Sequence, residues 1–142
     1  MKRKCLGIFN AWLVAAAIPV FCFAQAPAVY DTDFSIAHTL TSRLDNPDGT
    51  LTLNVQFSIR NDTGLEAGNI RVEMSSPVLA SPAQGSASLP VLAAGEAASA
   101  SGSYTIGNPG IEDADLMMTV LWRTEYDTSS GVRRRCYIKA AP

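Results

Sequence analysis

From Thr50 to Arg60 the chain alternates apolar and polar at every step. Leu51, Leu53, Val55, Phe57 and Ile59 share one parity; Thr52, Asn54, Gln56, Ser58 and Arg60 share the other. A helix advances about 100° per residue and would scatter those five apolar side chains around its circumference, whereas an extended strand sets them on one face. The segment predicts a strand with one face in a core and the other in water. The pattern recurs. Phe34, Ile36, His38 and Leu40 share a parity, and Ile70, Val72 and Met74 oppose Arg71 and Glu73. Ala98, Ala100, Gly102, Tyr104 and Ile106 alternate with Ser99, Ser101, Ser103 and Thr105. Leu116, Met118, Val120 and Trp122 read as a further inward face, with Met117 and Leu121 behind it, and Val132 to Lys139 reads as the final strand.

Turn chemistry separates these segments. Asp45-Asn46-Pro47-Asp48-Gly49, Asn61-Asp62-Thr63-Gly64, Ala93-Ala94-Gly95-Glu96, Gly107-Asn108-Pro109-Gly110 and Asp127-Thr128-Ser129-Ser130-Gly131 combine residues that preset φ with residues that tolerate positive φ. Pro77, Pro82 and Gly85 mark a looser crossing segment. No stretch carries sustained helical spacing with caps, and Gly95, Gly102 and the serines argue against a helix in the Ala-rich run from Ala93 to Ala100. About seven strands with regular turns predict an all-β, single antiparallel β-sandwich.

The first 24 residues read differently. Lys2-Arg3-Lys4 precede the uncharged apolar run Ala11–Phe23, and Ala24-Gln25-Ala26 end it with small side chains. That is the pattern of a secretory signal peptide, and it is short for a membrane span, which needs about 20 apolar residues. Cleavage after Ala24 gives three regions: a signal peptide over 1–24, a lead-in over 25–33, and the sandwich over 34–140. Removing the leader takes three of the eleven basic residues and none of the thirteen acidic ones. A net-acidic mature chain is a poor match for nucleic acid or an anionic membrane surface. Cys5 and Cys22 are expected to leave with the leader, so an intramolecular disulfide is not expected in the mature chain, and stability is expected from packing.

The succession of Asn61-Asp62-Thr63-Gly64, Gly68-Asn69-Ile70-Arg71-Val72, Leu89-Pro90-Val91-Leu92-Ala93-Ala94-Gly95-Glu96 and Ser101-Gly102-Ser103-Tyr104-Thr105-Ile106 resembles the immunoglobulin-like modules of bacterial envelope and surface proteins, especially the CARDB type associated with cell adhesion. The resemblance spans about residues 34–140. It implies an immunoglobulin-like sandwich and a non-catalytic role in binding another protein.

Individual residues refine that expectation. Cys136 shares parity with Ile138, which places it in the core; the alternative is a thiol that joins two chains. Arg133, Arg134 and Arg135 are read as charge guarding an edge strand, or as contacts to an acidic partner. Alternation turns Arg133, Arg135 and Tyr137 to one side as candidate partner contacts, and Asp113 and Asp115, beside a Gly/Pro turn, are further candidates. His38 is the one histidine, too few soft ligands accompany it for a metal site, and the Asp45–Gly49 stretch is a turn interrupted by Pro47 rather than a calcium loop. No metal or other cofactor is expected.

The expected function is that of an exported, non-enzymatic binding or scaffolding module, periplasmic or at the cell surface, whose partner is another envelope or surface protein. A carbohydrate-binding module is the alternative; polysaccharide recognition would use Tyr30, Tyr126 and Tyr137 as outward aromatics. A small hydrolase would need His38 beside a serine or carboxylate.

Overall fold

The computed structural model describes residues 33–140. The leader expected over 1–24, and the lead-in except for Asp33, lie outside the described residues. In order the chain forms β1 (Phe34–Asp45), β2 (Thr50–Asn61), β3 (Ala67–Ser75), β4 (Ala87–Leu92), β5 (Ala97–Gly107), α1 (Asp113–Thr119), β6 (Leu121–Thr128) and β7 (Arg133–Lys139). Two antiparallel sheets, β1-β2-β5 and β4-β3-β6-β7, make a β-sandwich. This strand order is an immunoglobulin-like arrangement with the fourth strand on the second sheet.

The alternation expected of β2 is realised: Leu51, Leu53, Val55, Phe57 and Ile59 are all buried. Facing them from the other sheet are Ile70, Val72, Trp122 and Ile138. Trp122 joins the layers. Its ring centroid lies 5.0 Å from that of Phe57 and 5.5 Å from that of Tyr104. The Tyr104 hydroxyl donates to the Val72 carbonyl oxygen at 3.0 Å, a bond from one sheet to the other, and burial pushes the phenol's pKa up. Gly102 makes room for that ring; a Cβ there would come within 2.6 Å of the Tyr104 hydroxyl.

One element departs from the sequence reading. Residues 113–119 form a helix rather than the first half of a strand through Leu116–Trp122. Leu116 and Val120 lie four apart, a spacing that serves both a strand face and a helix face, so parity alone could not separate them. The connection must carry the chain from β5 in one sheet to β6 in the other. A short helix of about two turns does this while burying Leu116 and Met117, and it leaves Met118 68% exposed instead of inward. Asp113 and Asp115 occupy its first turn, where carboxylates suit the local backbone dipole.

The crossing segment between β3 and β4 is pinned to the opposite sheet. Gln84 and Thr105 exchange two backbone hydrogen bonds of 2.8 Å. The adjacent Gly85 has φ +111°, and a Cβ there would lie 2.2 Å from the Ser103 carbonyl oxygen. Gly85→Ala therefore meets both a disfavoured φ and a backbone collision. Chemical denaturation should show a loss of at least about 2 kcal/mol, whereas Gly107→Ala, with open space around its Cβ, should cost well under half of that.

Candidate binding face

β6 runs between β3 and β7, and its register sets three outward rungs. Arg71 lies opposite Glu125 and Glu125 opposite Arg135; Glu73 lies opposite Arg123 and Arg123 opposite Tyr137; Asp127 lies opposite Arg133. Opposite charges therefore face one another across the sheet, while the outward row of β7 is cationic. The contacts follow from that grid. Glu73 holds Arg71 at 2.9 Å and Arg123 at 3.1 Å. Glu125 holds Arg123 at 2.6 Å and Arg135 at 2.7 Å. Asp127 takes Arg133 at 2.9 Å and the Asn69 amide at 2.8 Å. Hydrogen bonds from Arg123 and Arg135 hold the Glu125 carboxyl below its ordinary value. The Asn69 amide and Arg133 do the same for Asp127. Asn69 adopts φ +47° at a register shift between Gly68 and Arg71, which swings its amide onto Asp127.

Where this grid meets the crossing segment there is a cleft of about 300 Å³, lined by Glu73, Ser75, Leu79, Ser81, Arg123 and Tyr137 among others. The Nε–H of Arg123 is buried at this wall and has no partner among the described residues.

The candidate residues divide between places. Arg133, Arg135 and Tyr137 stand together on the outer face of β7, an edge strand, as the alternation predicts. Asp113 and Asp115 do not join them. They sit on α1 rather than on a loop, and Asp113 accepts a 2.7 Å hydrogen bond from Arg43, which also binds Asp45. The helix enters β6 at Leu121, while Arg133 pairs with Asp127 at the far end of that strand.

Cys136 lies in the core, 2% exposed, with its Sγ 3.6 Å from the Thr124 carbonyl oxygen. A disulfide to another chain would require β7 to leave the core. Tyr126 corrects the reading of it as an outward aromatic. It is 1% exposed, edge-on to Phe34 at 5.0 Å, and its hydroxyl donates to Asp33. Burial, with that bond in second place, pushes its pKa up to about 12. Tyr30 lies outside the described residues. Asp48 accepts from the backbone and hydroxyl of Thr50, closing the β1–β2 turn.

His38 is tied to the core through one nitrogen. The Trp122 indole N–H donates to His38 Nδ1 at 2.9 Å, so Nδ1 must be unprotonated, and burial lowers the imidazole pKa. The residue also lines a shallow cavity of about 180 Å³ with Gln56, Ser58 and Ser99. The cross-strand partners Arg71, Glu73, Arg123 and Glu125 escaped the sequence reading of the site. Their inward or outward parity was legible, but which strands stand side by side was not.

No protein-family model matches the chain, and no curated protein does. Among solved structures, the FixG-related protein from Vibrio parahaemolyticus is similar, with 8% identity and a TM-score of 0.41 over 78% of this chain and 98% of that one.

The His38 geometry has a measurable consequence. The folded pKa lies below the ordinary 6.5, so the unfolded chain binds the proton more readily. Stability is then complete above that value and falls as pH drops through the folded one. Melting temperature should decline between about pH 7.5 and about pH 5.5. His38→Asn, which keeps an acceptor for the indole but does not titrate there, should flatten that decline; an unchanged slope would rule this origin out.

Proposed function

We propose that the protein is an exported, non-catalytic binding or scaffolding module that docks another envelope or surface protein on the outer face of β4-β3-β6-β7. One observation carries the reading: Arg133, Arg135 and Tyr137 lie on a single face whose charged neighbours already orient one another, continuous with the cleft beside Tyr137. Side chains held in place before docking lose less entropy when a partner arrives. The resemblance to CARDB-type modules supports an adhesive or assembly role, and the leader pattern supports work in the periplasm or at the cell surface.

The two other readings have less behind them. Polysaccharide recognition is weakened because Tyr126 faces the core rather than joining Tyr137 in an exposed row. For a hydrolase, His38 would have to act with Nδ1 engaged by Trp122.

A photo-crosslinking residue at position 137 tests the face directly. In cells producing the native protein it should capture a defined partner. The same residue at position 101, on the outer face of β1-β2-β5, should not. Capture from position 101 and none from position 137 would place the contact on the wrong sheet for this reading.

A further inference from the structure

The four sheet edges are protected by different means. β1 carries a bulge between Leu40 and Ser42, which breaks the regular spacing an incoming strand needs. β4 is six residues long and contains Pro90, which has no amide hydrogen to offer. β5 is bridged at Thr105 by Gln84. β7 has none of these devices. It runs in unbroken register with β6 from Arg133 to Lys139, contains no proline, and pairs with no described strand on its other side. Its outward row is Arg133, Arg135, Tyr137 and Lys139, every one exposed.

Among the described residues, charge is thus the one guard of this kind on the β7 edge, and charge is selective. A second copy pairing edge to edge would bring this cationic row against another like it, which is destabilising for directly opposed like charges. An acidic strand meets the opposite situation. Glu125 and Asp127 hold Arg135 and Arg133 from the β6 side. Arg135 uses its Nε for Glu125, and its terminal amino groups have no partner among the described residues. The Arg135 side chain is 55% exposed, so those groups are accessible to a strand added beside β7.

We infer that the β7 edge takes an extended acidic segment of a partner protein as an added strand. Main-chain hydrogen bonds supply the pairing. Asp or Glu at alternate positions meets Arg133, Arg135 and Lys139, and an apolar or aromatic side chain packs on Tyr137. The inference rests on the reading of this sheet face as the docking face, and it names the chemistry that the face selects.

The test uses the mature protein and three labelled, end-capped ten-residue peptides: alternating Glu and Val, alternating Lys and Val, and a Glu block followed by a Val block. Fluorescence anisotropy at low salt reads affinity, and amide hydrogen exchange reads position. The alternating Glu peptide should bind, slow exchange in β7, and weaken roughly tenfold or more on Arg133→Glu with Arg135→Glu, because opposed like charges then face each other. Should that variant misfold by circular dichroism, Arg135→Gln should weaken binding in the same direction by a smaller factor. Absence of binding overturns the inference. So does equal binding of the Lys or block peptide, affinity that survives charge reversal, or protection on β1, β4 or β5 instead. If position 137 still crosslinks a native partner while the alternating Glu peptide fails, the docking face stands and this account of its chemistry falls. If position 137 captures nothing while the peptide binds β7, the reverse holds.

Discussion

Trp122 is the point on which the two sheets agree. Its indole lies against Phe57 and Tyr104 of the opposite layer, and its single polar atom finds an acceptor in His38 of β1. A buried indole N–H left without a partner would cost on the order of 1–3 kcal/mol, so the position of β1 is coupled to that of β6. Tyr104 repeats the device in the other direction through the Val72 carbonyl. These two crossings supply directional bonds that nondirectional apolar burial cannot.

A second knot closes the end of the sandwich away from α1. Asn61 is fully buried, yet each of its side-chain atoms is employed. Its amide donates to the carbonyls of Leu65, Leu92 and Ala93, and its oxygen accepts from the backbone and hydroxyl of Thr63. One side chain thus fastens the β2–β3 turn to the β4–β5 turn. The Asn-Asp-Thr-Gly sequence announces a turn through its composition. It does not announce that the asparagine is an interior crosslink, because the Leu92 and Ala93 acceptors lie 31 and 32 positions away, beyond the reach of any local pattern.

That contrast explains what was legible. β2, β3 and β5 could be read residue by residue, since alternation is local and burial follows parity. The same rule, extended two steps from Trp122 through Thr124, carries Tyr126 inward; its hydroxyl at the rim satisfies itself on Asp33. The helix failed for the opposite reason. Seven residues are too few to distinguish periods of 2 and 3.6 when the apolar positions fall four apart. Of the site, the grouping of Arg133, Arg135 and Tyr137 was readable from alternation within one strand. Their acidic anchors were not, because register between β3, β6 and β7 is a property of the assembled sheet. Asp113 shows the same limit: its arginine lies 70 residues earlier in the chain.

The charge grid has consequences for how such a face can recognise anything. Each exposed ion pair contributes little to stability by itself, commonly about 1 kcal/mol or less. What the grid does contribute is orientation, since Glu73 and Glu125 are each shared by two or more cations and Arg123 is held between them. At the centre, Arg123 spends both terminal amino groups on Glu73 and Glu125, so a partner must displace existing pairs to engage it. At the β7 margin the pairing is one-sided, and Arg135, 55% exposed, binds Glu125 through its Nε alone. Recognition is therefore cheapest at the edge and dearest in the middle, which means that a sheet guarded against its own kind by positive charge is, by the same charge and at the same place, open to an acidic strand.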